Sequence, residues 1–314
     1  MALMYDPDTH SALSADKVDN YLRHIQLPHR YWPQQSPSLN LDLLSALQAY
    51  HLSKIPYENL ALHYTKDVNI SLNVNDIYHK FVDKQRGGYC MENNIFFYHV
   101  LRFFGFQVFL TGARLHRTGD GNPTGWTGWE HAVNIVTFPG PKQYLADVGY
   151  GGNGPKLPLP LVSDSPVHNI GTQDLRLIRE TNKSLPAGQQ DRWIYQFRNG
   201  QEQAWATAYT FTDIEFTLKD YEIMNFFTSK SPDSFLTLKI LVVKFLEEDG
   251  NIVGKLILDQ DHVKKNTGGK NELLQICQTE KERVEVLEDL FKLKLTEEER
   301  NGIHGRVSSL RTGP

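Results

Sequence analysis

The stretch RGGYCMENN, residues 86–94, sets one of only two cysteines in the 314-residue chain directly behind a Gly-Gly pair. After it Ile95, Phe96, Phe97, Val100, Leu101 and Phe104 recur at helical spacing, and Gly105 stands where a glycine ends a helix. Cys90 therefore opens an apolar helix. The free N–H groups and dipole of a helix start favour an anion, which biases a thiol there towards thiolate. The competing reading is a small buried hydrophobe. Two residues downstream weigh against it. His131 begins the run EHAVNIVTF and Asp147 closes KQYLAD, with the turn signal PGPK between them. As one antiparallel hairpin, these runs bring His131 and Asp147 side by side at the open end. An imidazole held by a carboxylate on one nitrogen can accept a thiol proton on the other. Cys90, His131 and Asp147 form the candidate catalytic set.

The elements that must position them follow from periodicity. The first third reads as helices. Ser14 caps a segment carrying Val18, Tyr21, Leu22 and Ile25, a second segment holds Leu43, Leu44, Leu47 and Tyr50, and a third spans residues 75–82. Past Gly105 the period shortens to strands at 106–115, 130–138, 142–151, 174–180, 192–197 and 204–211. The proline-rich stretch from 151 to about 171 reads as a loop. The last third predicts two long strands, FLTLKILVVKFLEE and NIVGKLILDQ, turned at Asp249-Gly250-Asn251. A final helix starts at Thr279, with Glu282 in capping-box position and Val284, Leu287 and Phe291 as its apolar stripe. Helices, then strands, then a mixture read as an α+β fold.

Composition narrows the function classes. Hydrophobic residues at 40% and charged residues at 22% fit a soluble globular chain, and nothing is apolar for long enough to span a membrane. A formal net charge of −4 lacks the basic surplus of a nucleic-acid binder. No CxxC, HExxH or clustered His/Cys set points to a metal. The glycines at 149, 151 and 154 fit G-x-G-x-x-G, but Pro155, Pro158 and Pro160 forbid the phosphate-binding helix that motif needs. Two cysteines and no signal-like N-terminus make a cytoplasmic location the expectation.

The motif residues resemble the arylamine N-acetyltransferase family, in a eukaryotic, fungal-type form. Arg86, Gly87, Gly88, Cys90, Glu92 and Asn93 match its R-G-G-x-C-x-E-N signature. EHAVNIV and DVGYGG match its histidine and aspartate stretches, IPYENL its I-P-F-E-N-L, and MNFFTSKSPDSF its M-N-x-x-x-x-x-S-P-x-S segment. The resemblance implies three parts: a helical bundle over 1–105 carrying the nucleophile, a β-barrel over 106–208 carrying His131 and Asp147, and an α/β lid over 209–314, with a papain-like Cys-His-Asp arrangement. It implies acyl-CoA as co-substrate (acetyl, malonyl or propionyl) and arylamines, hydrazines or related xenobiotic nitrogen nucleophiles as acceptors. Gly112, Ser229 and Ser234 are the implied CoA contacts, the serines having ordinary loop capping as their alternative. Residues 155–203 and the tail from 281 are longer than in bacterial members. A cysteine hydrolase or transglutaminase-like enzyme would use the same residue order, and a non-catalytic module with a vestigial triad is a third reading.

Overall fold

Four helices precede the sheets in the computed structural model, which describes residues 13–117, 125–181 and 191–311. Helix α1 (Ala15–His24) begins where the Ser14 side chain accepts from the Lys17 N–H, and it buries Val18, Tyr21 and Leu22. Helix α2 (Leu41–Lys54) is capped in the same way by Asn40 and buries Leu43, Leu44 and Leu47. The predicted third helix is shorter than its apolar spacing implied. It runs as α3 (Val74–Tyr78) and relaxes into a π turn over His79–Asp83. Helix α4 (Cys90–Phe104) matches the sequence expectation and ends at Gly105 with φ 94°, a left-handed conformation that glycine adopts without a Cβ clash.

A polar thread runs through this apolar packing. The Tyr21 hydroxyl meets His51 Nδ1 at 2.9 Å, and His51 Nε2 meets Asn93 Oδ1 at 3.2 Å, so α1, α2 and α4 are joined by buried hydrogen bonds. Two-residue strand β1 (Tyr57–Glu58) follows α2.

Among the described residues the remaining strands form two antiparallel sheets. The larger contains β2 (Gln107–Arg117), β3 (Gly125–Thr137), β4 (Gln143–Ala146), β5 (Leu159–Pro160), β6 (Val167–His168), β7 (Asp174–Thr181), β8 (Asp191–Arg198) and β9 (Ala206–Phe211). Its order is β5-β4-β3-β2-β9-β8-β7-β6, and a bridge from Ser163 to Leu177 draws its ends together into a barrel-like form. The expected hairpin is present, with Asn134 opposite Ala146 and Thr137 opposite Gln143. Inward side chains including Val133, Leu145, Leu175, Tyr195 and Tyr209 fill this sheet.

The last third departs from the sequence reading at one strand. Residues 235–240, expected to extend, instead form a short helix α6 (Phe235–Leu238) after α5 (Leu218–Lys230). Ser234 in extended conformation starts this turn without a side-chain cap, and the Thr237 hydroxyl, donating to the Ser231 and Ser234 carbonyls, holds it against the β-rich composition. Strand β10 (Leu241–Glu248) then pairs with β11 (Asn251–Asp259), followed by β12 (His262–Asn266) and β13 (Asn271–Ile276). The last two were not anticipated, because their polar sequences carry little periodicity. Strand β1 joins the far side of β10, opposite Val242 and Val243, tying the helical third into this sheet. Helix α7 (Glu280–Asp289) starts at Thr279 as expected, but Glu282 accepts from the Gln278 N–H, so only half of the capping box forms. A short α8 (Glu297–Gly302) closes the described fold. No described helix is long and apolar enough to cross a membrane.

Candidate active site

The start of α4 is fixed from several sides. Gly88 bridges to Tyr57 of β1, and its carbonyl accepts from the Glu58 N–H at 2.9 Å. A Cβ on Gly87 would stand 1.9 Å from the Pro56 carbonyl oxygen, so only glycine permits this close approach. Arg86 is buried between Glu58, at 3.1 Å, and Glu299, at 2.8 Å. Glu92 accepts from the Tyr89 N–H at 3.1 Å and pairs with Lys80 at 2.7 Å. The signature residues around Cys90 thus set the position of its helix.

Cys90 is the first residue of that helix and is 5% exposed. Its thiol lies 3.5 Å from the Glu130 carbonyl oxygen, at the start of the histidine stretch. His131 Nε2 and Asp147 Oδ2 are 2.8 Å apart, and both side chains are buried. With Nε2 engaged by Asp147, Nδ1 is the ring nitrogen left for Cys90, which lies close enough to favour the protonated imidazole. The structure brings all three candidate residues together.

The electrostatics follow from this enclosure. Burial alone would lower the His131 pKa, but the Asp147 carboxylate, its hydrogen bond and Cys90 outweigh that and push it up to about 10. Burial would raise Asp147, yet His131, Asn94 and the Gly149 N–H together hold its carboxyl below the usual value. The arrangement is a buried histidine–carboxylate pair, the histidine biased towards its protonated form, in one cavity with a thiol.

Two residues that sequence reasoning missed complete the support of Asp147. Asn94 donates to Asp147 Oδ1 at 3.0 Å, accepts from the Val148 N–H at 3.0 Å and also donates to the Ala132 carbonyl. It lies one helical turn after Cys90, so the same face of α4 carries both residues, a spacing visible in CMENN. Tyr209 of β9 donates to Asp147 Oδ2 at 3.0 Å. Burial, reinforced by Asp147, pushes its phenol far above the ordinary value, so its proton stays in place to donate. The Gly149 N–H adds a bond of 2.9 Å to Oδ1. A carboxylate with this many donors is fixed in rotamer and charge.

Cys90 and His131 open on a cavity of about 570 Å³, lined also by Tyr57, Gly149, Tyr150 and Phe235. None of the three implied CoA contacts itself lines this cavity, although Asp233 and Phe235, on either side of Ser234, do. The ring of Phe216 covers Gly112, where a Cβ would meet it at 2.4 Å. Ser229 Oγ donates to the Asn225 carbonyl at 2.6 Å and Ser234 Oγ to the Thr228 carbonyl at 2.8 Å, and neither lines the Cys90 cavity. Among the described residues, no three His, Cys, Asp or Glu side chains gather as a metal site.

Fold and site together define an α+β protein in which a helix-borne cysteine meets a histidine–carboxylate pair presented by a barrel-like antiparallel sheet. A family model described as N-acetyltransferase matches residues 40–300. The N-malonyltransferase FDB2 of Fusarium pseudograminearum is 35% identical, covering 92% of this chain and 92% of its own. The arylamine N-acetyltransferase of Escherichia coli is 32% identical over 68% of this chain and 70% of its own. The crystal structure of the Nocardia farcinica arylamine N-acetyltransferase superposes with a TM-score of 0.79 at 26% identity, covering 95% of this chain and 97% of that one. The chain belongs to the arylamine N-acetyltransferase family.

Proposed function

We propose that this protein transfers an acyl group from acyl-CoA to the nitrogen of an arylamine, hydrazine or related xenobiotic, through an acyl-cysteine at Cys90. The observation that carries this reading is the His131 ring, held by Asp147 on Nε2, lining one cavity together with Cys90. In the first half-reaction the Cys90 thiolate attacks the thioester carbonyl, and the tetrahedral adduct collapses by expelling CoA thiolate. The His131 imidazolium supplies the proton that makes it a good leaving group. Exchange of one thioester for another is nearly thermoneutral, so the acyl-enzyme forms without a large uphill step. In the second half-reaction the amine attacks the acyl-cysteine and neutral His131 takes its proton. Cys90 leaves as thiolate beside a regenerated imidazolium. Asp147 holds the ring throughout, and the Cys90 backbone N–H, at the start of its helix, is the proposed donor to the oxyanion.

We divide the chain into a helical unit to residue 105, a barrel-like unit and a C-terminal α/β unit. Because β9 continues to Phe211, the second boundary falls after that residue and not at 208. Both cysteines are free thiols, which suits a reducing compartment, and we infer a cytoplasmic location.

Incubation with acetyl-, malonyl- or propionyl-CoA, followed by intact mass, tests the reading. A stable acyl adduct on Cys90 is expected without amine, with parallel double-reciprocal lines when amine is varied. Intersecting lines with no adduct would point to direct transfer, and rapid hydrolysis of the adduct to the hydrolase alternative.

A further inference from the structure

The Cys90 cavity holds a charged pair for which acyl transfer has no use. Arg117, at the end of β2, and Glu130, the residue before His131, both line it. The Glu130 backbone carbonyl lies 3.5 Å from the Cys90 thiol, so the strand that carries Glu130 passes beside the nucleophile. Their contact is loose, with Arg117 Nη2 and Glu130 Oε2 3.7 Å apart. The same nitrogen reaches the Asp233 carbonyl only at 3.5 Å. A guanidinium carries five N–H donors in a planar fork, and neither contact is the paired geometry that a carboxylate gives it. Lys239, another cation lining the cavity, is already held by Asp259 at 2.7 Å. Among the described residues, Arg117 is therefore the cation lining this cavity with donors to spare, and its side chain is 28% exposed.

Resting on the acyl-transfer reading above, we propose that Arg117 recognises the free carboxylate of a malonyl-type acyl group, making this enzyme selective for carboxylated donors over acetyl. In a malonyl thioester the carboxylate stands one methylene from the carbonyl that Cys90 attacks, so its receptor must share the Cys90 cavity. A carboxylate entering that enclosed space without a cation would lose its hydration with nothing to replace it. Arg117 meets the need because its charge is permanent and its fork accepts a carboxylate by two parallel bonds. Glu130 keeps the guanidinium turned to the cavity when no donor is bound. It also supplies the selectivity: with Arg117 removed, its charge in the same cavity repels a carboxylated acyl group and is indifferent to acetyl.

The test is the ratio of kcat/KM for malonyl-CoA to that for acetyl-CoA with one arylamine acceptor, in wild type, Arg117→Met and Arg117→Lys. Wild type should favour malonyl. Arg117→Met should lower the ratio about tenfold or more, the size of a lost hydrogen-bonded charge pair, and Arg117→Lys should recover part of it. A wild type indifferent to the carboxylate, or an unchanged ratio in Arg117→Met, overturns the assignment. Equal loss with both donors also overturns it, because Arg117 would then hold a CoA phosphate common to both. Intact mass of wild-type enzyme with each donor separates the two levels of the argument. An adduct on Cys90 without donor preference leaves acyl transfer standing and removes the role of Arg117, whereas no adduct from either donor removes both.

Discussion

Cys277 and Cys90 are both buried, and their neighbours set them apart. Cys277 sits in an apolar cluster with Leu258, Val263 and Leu287. Burial, with Glu282 adding to it, pushes its thiol up to about 11, so near neutral pH it stays protonated and a poor nucleophile. Cys90 has the His131 imidazole beside it. Cys90→Ser should cut turnover by about a thousandfold or more while leaving the urea midpoint close to wild type. Cys277→Ala should keep its rate and lose about 1 kcal/mol of stability. Comparable loss of turnover in two folded variants would remove Cys90 from its role. Cys90, His131 and Asp147 were legible because a rare residue type, a helix start and a hairpin all constrain the chemistry. Tyr209 was not, because a tyrosine in a strand of alternating apolar residues has packing as its default explanation. Its bond to Asp147 depends on how β9 is set beside β2, which no local pattern encodes.

At the scale of elements, the contact between the start of α4 and the turn after β4 decides whether the site assembles. Gly149 lies against the helix so closely that an added Cβ would stand 2.7 Å from the Cys90 carbonyl oxygen and 2.8 Å from its Cα. These are backbone atoms and cannot rotate away. Gly149→Ala should cost about 1–3 kcal/mol as an overpacked contact, with the larger effect on turnover, because the displaced turn carries Asp147 and a donor to its carboxylate. Urea unfolding beside initial rates would show it, and a variant with wild-type rates would mean the turn does not set the triad. This contact was only half legible. The sequence marks the glycines after Asp147 as a loop, but what that loop touches is a tertiary fact. The same limit explains residues 235–240, where β-rich composition predicted a strand and a short helical turn formed, and β12 and β13, which pair by hydrogen bonds with little apolar patterning to announce them.

For the whole molecule, buried histidines of opposite kind should shape stability against pH. An unfolded histidine titrates near 6.5. Burial depresses His51 to about 3, and burial, Arg283 and Arg306 outweigh the backbone bonds of His63 to hold it near 4. Below pH 6.5 the unfolded chain takes up protons that these folded side chains refuse. Each histidine then removes about 1.4 kcal/mol per pH unit until it protonates in the folded state. Asp147 adds to the same acid limb, since a depressed carboxyl stabilises above its unfolded pKa and loses that contribution as pH falls through its folded one. His131 works in the other direction. Raised to about 10, it stabilises fully below pH 6.5, and that contribution fades as pH climbs towards its folded value. Stability should therefore peak near pH 6.5 and decline on both sides, more steeply in acid, where two histidines act together. His131→Gln should lower the whole curve and flatten its alkaline limb between pH 7 and 9, while the acid slope set by His51 and His63 persists. Urea midpoints from about pH 4 to about pH 9 measure both limbs. An alkaline slope unchanged in His131→Gln would mean that the pair with Asp147 is not charged in the resting protein, and the proton that His131 is proposed to give to departing CoA would have to come from elsewhere.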